Sequence, residues 1–316
     1  MEKKDYLDYL DIKKSTILKK KLAAFLDDKK NDFFPMNVLK KLICFMIYAP
    51  RKVVHYRRKR SFAKFYHQHH ADINKLLQLV DDDVSREVIK AQINFFSTFD
   101  CTGEQEFLHK KGLYEKHLSL IDADEYFPAG IINLSESEGF VDGGGFDGDT
   151  IKEFIKRTNG KFCHIFSFEA DKNNFKDLLA TVKQLELFSE KISCYLKGVY
   201  SKNGICNFSL KGIGSSISNE GGGESIEVVA LDSFLNEDEK SKITFIKLDI
   251  EGSELAALEG MQEIIRQNKP KLAICVYHKP DDFWEIPFYI KSLRPDYKIY
   301  FRQHALSRTD TVCYAV

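Results

Sequence analysis

The chain has few of the features that mark a secreted or zinc-stapled protein. Its seven cysteines stand far apart, at positions 44, 101, 163, 194, 206, 275 and 313. None form a C-x-x-C pair and their number is odd, which argues against a disulfide framework or a cysteine zinc site and for a reducing cytoplasm. Cys163, Cys275 and Cys313 fall within apolar strand-like runs and are expected to be small core residues. No signal-peptide pattern opens the sequence, and the apolar run from Leu42 to Pro50 is too short to span a bilayer. Net charge is zero, from 47 basic and 47 acidic residues, but it is unevenly spread. Residues 29–64 hold eleven Lys or Arg against one acid, Asp32, so the remainder is net acidic. A length of 316 residues with 43% hydrophobic content suits a soluble globular protein of one large or two smaller domains.

The texture changes along the chain. Residues 1–125 are expected to form a helical region. Leu7, Leu10, Ile17, Leu18, Leu22 and Phe25 recur at helical spacing, and Ile73, Leu76, Leu77, Val80, Val84, Val88 and Ile89 do so again within 72–96, with a break inside Asp83–Glu87. Residues 126–316 alternate short apolar runs with helical ones. Strands are predicted at Phe140–Val141, His164–Phe168, Ile192–Leu196, Ile205–Leu210, Ile226–Leu231, Ile243–Leu248, Leu272–Tyr277, Tyr297–Phe301 and Thr311–Val316. Helices are predicted at 151–158, 172–188, 253–267 and 282–293. Such alternation implies an α/β fold, a mostly parallel sheet covered on both faces. The last two strands have no helix between them, so they form a hairpin with an antiparallel final strand.

The densest signal is Gly139-Phe-Val-Asp-Gly-Gly-Gly-Phe-Asp-Gly-Asp-Thr150. An apolar strand meets an acid, then a glycine turn, then a helix start read as a capping box with Thr150 at the N-cap and Glu153 reaching back. The glycines admit close backbone approach to a ligand, and the helix presents free N–H groups. Gly143-x-Gly145-x-x-Gly148 satisfies the dinucleotide pattern. Asp142 at the strand end would repel a pyrophosphate and welcome an ammonium and a sulfonium, which favours S-adenosylmethionine over a nicotinamide cofactor.

In open α/β sheets ligands bind at the carboxyl ends of the strands. Glu169 ends the second main strand and can accept both hydroxyls of a ribose. Lys197-Gly198 follows the third. Lys247-Leu-Asp249-Ile-Glu251-Gly252-Ser253 places two carboxylates where a later strand leaves the sheet, with Ser253 able to cap the next helix. Lys247 within an apolar strand requires a partner; an ion pair with a neighbouring acid explains it as well as catalysis does. His278, after the fifth main strand, is the candidate general base, and His304 lies on the same edge. Asp249, Glu251, His278 and Asp281 are able to hold a cation, but no spacing demands a metal.

Taken together these blocks resemble the FkbM family of S-adenosylmethionine-dependent methyltransferases. Phe140 to Thr150 matches its first motif, Phe168-Glu169 with Asp171 its second, and Val229 to Phe234 and Ile246 to Met261 its later blocks, over about residues 126–316. Many members carry Ala-Asn where this chain has Gly145-Phe146, so no Asn contact is carried over. The resemblance implies a Rossmann-like class I methyltransferase sheet, which also ends in an antiparallel hairpin. It implies O-methylation of a hydroxyl on a sugar or glycan intermediate, with a small-molecule or lipid-linked acceptor. The expected cofactor contacts are Asp142, Gly143, Gly144, Gly145, Asp147, Gly148, Glu169, Gly198, Asp249 and Glu251, with His278 or Asp249 as base. A nicotinamide-dependent oxidoreductase and a non-catalytic binding protein remain the alternatives. No nucleic-acid module accompanies the basic stretch, so residues 39–60 are expected to make at most a peripheral contact with an anionic membrane.

Overall fold

The computed structural model describes residues 63–98, 119–120, 122, 124–209, 216–218, 224–305 and 310–316. The pattern at Leu7–Phe25, the basic stretch at 39–60, Cys44 and Cys101 lie outside the described residues. No helix among the described residues is long and apolar enough to cross a membrane.

Seven strands form the main sheet. In chain order they are β1 (Gly139–Gly143), β2 (His164–Phe168) and β3 (Ile192–Tyr195), then, after a small second sheet, β8 (Phe245–Leu248), β9 (Lys271–Cys275), β10 (Ile299–Gln303) and β11 (Thr311–Ala315). The second sheet comprises β4 (Gly198–Val199), β5 (Gly204–Ser209), β6 (Ser216–Ser218) and β7 (Glu224–Val229). The main order is β10-β11-β9-β8-β1-β2-β3. Every pair is parallel except those of β11, which runs antiparallel between β9 and β10. The hairpin ending read from the sequence is present. Strand order reverses at β1, so the crevice between β1 and β8 is the topological switch point.

The sheet buries both faces, as its uninterrupted apolar strands require. All of β1, β8 and β11 is buried. On one face Phe140 stacks on Phe154 and Phe245, with ring centroids 4.6 and 5.0 Å away. On the other face Trp284 and Ile290, from the helix Asp282–Leu293, join Leu248, Ile274 and Phe301.

The helices His70–Leu79 and Asp83–Thr98 belong to the same compact unit, which spans Lys59–Val316. The break between them falls at 80–82, just before the predicted position, because the Asp82 carboxylate accepts from Ser85 N at 2.8 Å and starts the second helix. This junction covers the free edge of β10. Ile299 N donates to the Asp81 carboxylate at 2.7 Å, Phe301 N to Ser85 Oγ at 2.8 Å, and Arg302 pairs with Asp82 at 2.7 Å. Pairing an edge strand's donors in this way removes a template for aggregation.

Four local readings differ. The helix after β1 runs Asp149–Arg157, with Gly148 at its N-cap in the left-handed region (φ 84°) and no side-chain cap. That glycine turns the chain before Thr150, so Thr150 sits in the first turn, and Glu153 bonds Arg157 at 2.7 Å rather than reaching back. The predicted helix 253–267 is two, Glu254–Glu259 and Gln262–Asn268, and Ser253 stands at the first N-cap without a side-chain bond. The predicted helix 172–188 stops at Gln184 and continues as a 3-10 turn over Glu186–Lys191. Cys163 is exposed just before β2, whereas Cys275 and Cys313 are buried as expected.

Candidate active site

A cavity of about 360 Å³ opens at the carboxyl ends of β1, β2 and β8. Its walls include Gly144 and Phe146 from the glycine turn, Glu169 and Asp171 after β2, Lys197 and Gly198 after β3, and Asp249 and Glu251 after β8.

The glycine turn fits against the strand next door. Gly144 has φ +84°, and a Cβ there would stand 2.0 Å from the Asp249 carbonyl oxygen. Only glycine tolerates both the conformation and the contact. Gly144 N and Gly145 N donate to the Phe168 carbonyl at 2.9 and 3.0 Å. Glu169 then fastens the turn from below: one carboxylate oxygen accepts from Phe146 N at 2.8 Å, the other from Asp171 N at 2.7 Å. Burial raises its pKa, against the pull of those two N–H groups. Each oxygen keeps a further lone pair for a ligand hydroxyl.

Asp142 takes a different role from the one the sequence suggested. Its Cα partner across the parallel ladder is Lys247, so both side chains leave the sheet on one face. The Asp142 carboxylate is fully buried, 3.1 Å from Lys247 Nζ and 3.1 Å from Ser167 Oγ. Lys247 also donates to the Gly144 carbonyl at 2.6 Å. Burial alone would lower the Lys247 pKa; the carboxylates of Asp142 and Asp249 overcome this and raise it, so the ammonium is retained. Asp142 therefore supports the loop from inside and does not line the cavity. Gly143, Gly145, Asp147 and Gly148 shape the turn without lining the cavity either; Asp147 accepts from Asp149 N at 3.1 Å.

The opposite wall is a group of acids around one imidazole. Asp249 accepts from the Tyr126 and Tyr277 hydroxyls, at 3.0 and 3.1 Å, one on each oxygen. His278 Nε2 lies 3.5 Å from Glu251 and 3.6 Å from Asp249, and its Nδ1 lies 3.0 Å from Glu254. Burial opposes a charge on the ring, but Glu254, Asp249 and Glu251 raise its pKa to about 9. Those acids favour the charged ring over the neutral one in the free protein. His278 thus stands among acids beside the cavity, not on its wall. For Glu251, burial and the neighbouring acids raise the pKa against the pull of His278.

The sequence brought Glu169, Gly144, Gly198, Asp249 and Glu251 to one cavity and His278 beside it. It missed Tyr126 and Tyr277, which orient Asp249, and Glu254, which is fully buried next to His278. Glu254 gave no distinct signal, since an acid opening a helix is ordinary; its complete burial is a feature of the fold. Tyr126 had none, because it lies 123 residues from its partner. His304 is structural, bonded to the Asp122 carbonyl at 2.8 Å and the Tyr314 hydroxyl at 2.7 Å.

A parallel sheet with one antiparallel strand near its edge and a cavity at the switch point defines a class I methyltransferase architecture. Residues 142–301, just over half of the chain, match the model of the methyltransferase FkbM domain. A crystal structure of a methyltransferase FkbM from Methylobacillus flagellatus KT is similar, with TM-score 0.66 and 28% identity, over 81% of this chain and 60% of that one. This chain thus spans about three-fifths of that protein's length. More distant likenesses include an rRNA methylase from Streptococcus thermophilus (TM-score 0.38, 15% identity, 64% of this chain and 93% of that one). Another is the fibrillarin of Aeropyrum pernix with bound S-adenosyl-L-methionine (TM-score 0.36, 13% identity, 59% and 70%). No curated protein sequence matches. The chain belongs to the FkbM methyltransferase family.

Proposed function

We propose that this chain is a methyltransferase that moves a methyl group from S-adenosylmethionine to a hydroxyl of a sugar or glycan intermediate, and that the donor binds in the cavity between Glu169 and the Asp249–Glu251 wall. The observation that carries the reading is this pair of anionic walls facing a turn that only glycine can form. The residues fit the donor. Glu169 retains acceptor capacity for ribose hydroxyls, Gly144 lets the backbone come close, and Asp249 and Glu251 offer negative charge to a sulfonium and an ammonium. Glu169, Asp171, Asp249 and Glu251 along one cavity disfavour a pyrophosphate, and Lys197, the cation there, is paired with Glu227. A nicotinamide dinucleotide is the poorer fit.

The bound donor supplies an electrophilic methyl group. The protein's part is alignment of the acceptor oxygen and removal of its proton. Asp249, with both oxygens already holding tyrosine hydroxyls, is a positioning group. Glu251 lines the same cavity, carries no tyrosine, and is half-exposed toward an incoming acceptor, so it takes the proton. Methyl-tritiated donor offered to polyhydroxylated acceptors tests this. Glu251→Gln should lower turnover by about 10²–10⁴-fold while S-adenosylhomocysteine affinity falls by less than about tenfold, since Asp249 still faces its ammonium. Wild-type turnover in that variant, or label confined to amine acceptors, would overturn the assignment.

A further inference from the structure

Beside the cavity, the second turn after β8 holds buried polar atoms that the protein leaves unused. Glu254 is fully buried. Its Oε1 accepts from Ile250 N at 2.9 Å and Gly252 N at 3.3 Å, but its Oε2 has no hydrogen-bond partner. The His278 side chain is 9% exposed, and neither ring nitrogen makes an aligned hydrogen bond, although Nδ1 lies 3.0 Å from Glu254. Leaving such groups unsatisfied is expensive unless a further partner takes them. Lys247, buried in β8, is committed to Asp142 and the Gly144 carbonyl.

The geometry also supplies a third donor. Asp249, Glu254 and His278 offer one ligand atom each, all within 4.8 Å of one another, the one such grouping among the described residues. Asp249 is oriented by the hydroxyls of Tyr126 and Tyr277, and the Tyr277 ring packs on His278 at 4.1 Å between centroids. Outer partners that fix first ligands in this way accompany metal sites. Two carboxylates and one imidazole fill three positions, and Asp249 also lines the cavity, so further positions are left for outside oxygen ligands.

We propose that Asp249, Glu254 and His278 bind one divalent first-row cation, of the class that accepts both carboxylate oxygen and imidazole nitrogen, the ion displacing to solvent the proton of the imidazole nitrogen it takes. Its role rests on the function proposed above: an open position beside Glu251 would take the acceptor hydroxyl and lower its pKa. Binding itself does not depend on that reading and is measured without donor or acceptor.

The probe is Mn²⁺ titrated into the full chain and followed by electron paramagnetic resonance, with ¹⁵N-histidine labelling to detect a nitrogen ligand. The expected result is one saturable site per chain with a histidine nitrogen on the ion. Glu254→Gln, which keeps an oxygen for Ile250 N and Gly252 N, and His278→Ala should each remove the saturable site. Glu285→Gln, an exposed acid on the helix after His278, should leave it intact. Calorimetry with S-adenosylhomocysteine shows which variants keep a folded cavity. No saturable binding in the wild type, no histidine nitrogen on the ion, or undiminished binding in a folded Glu254→Gln variant would each overturn the proposal. The imidazolium would then be the partner of these acids by itself.

Discussion

Replacing Lys247 by methionine tests how the glycine turn is held. The substitution keeps side-chain volume but leaves the Asp142 carboxylate fully buried with only Ser167 as a side-chain partner. Breaking a buried pair from one side costs about 3–5 kcal/mol, because an uncompensated charge remains. At about 2–4 °C per kcal/mol for a domain of this size, Lys247→Met should lower Tm by roughly 6–20 °C. Adding Asp142→Asn removes the stranded charge, so the double variant should be more stable than Lys247→Met alone, and a double-mutant cycle should show strong coupling. Thermal and urea unfolding give both quantities. Calorimetry on the double variant adds a functional readout: Asp142 does not line the cavity, so S-adenosylhomocysteine affinity should fall by less than about tenfold, under ~1.4 kcal/mol. A Lys247→Met cost below about 1 kcal/mol, the range of exposed pairs, would refute the buried-pair argument. A larger affinity loss in the double variant would return Asp142 to the ligand, as its place in the sequence first suggested.

Two further variants probe the frame of the site. Glu138, buried ahead of β1, accepts from Lys271 at 2.7 Å, from Ser135 N at 2.7 Å and from Thr244. Burial pushes its pKa up, but Lys271, Thr244 and Ser135 hold it below the ordinary carboxylate value of 4.5. A depressed folded pKa contributes stability above the unfolded value that is lost as pH falls through the folded one. Glu138→Gln should thus cost roughly 1.5–3 kcal/mol at pH 7, with the gap to wild type closing below pH 4.5; a gap unchanged in acid would contradict the assignment. Gly144→Ala should cost about 1–3 kcal/mol and weaken S-adenosylhomocysteine, since the added methyl meets the Asp249 carbonyl; wild-type values in both assays would show that the turn sits elsewhere.

The sheet was legible because its signal is local. β2 and the helix Asp282–Leu293 were read at their observed bounds, since each apolar run ends at a polar turn within a few residues. Helix boundaries failed where tertiary contacts intervened. Gly148 starts its helix from a left-handed turn packed on Thr181, which no capping pattern reveals. Candidate site residues came from strand ends, and that rule placed Glu169, Asp249 and Glu251 on the cavity. It could not separate carboxylates that face a ligand from one that faces Lys247, because the Asp142–Lys247 register joins residues 105 apart in sequence. A separation of 123 residues from Asp249 likewise hid Tyr126. Glu254 was passed over because an acid opening a helix is ordinary; only its complete burial beside His278 sets it apart.

The measurement closest to the central claim is calorimetry of the wild type and Glu169→Ala with S-adenosylhomocysteine, NAD and NADP in parallel. The wild type should bind S-adenosylhomocysteine and bind the dinucleotides more weakly or not at all. Glu169→Ala should lose roughly 1.5–3 kcal/mol of that affinity, through the ribose hydroxyls and through Phe146 N and Asp171 N, which it leaves unheld. Tighter binding of NAD or NADP, or an unchanged affinity in Glu169→Ala, would contradict the placement of the methyl donor between Glu169 and the Asp249–Glu251 wall.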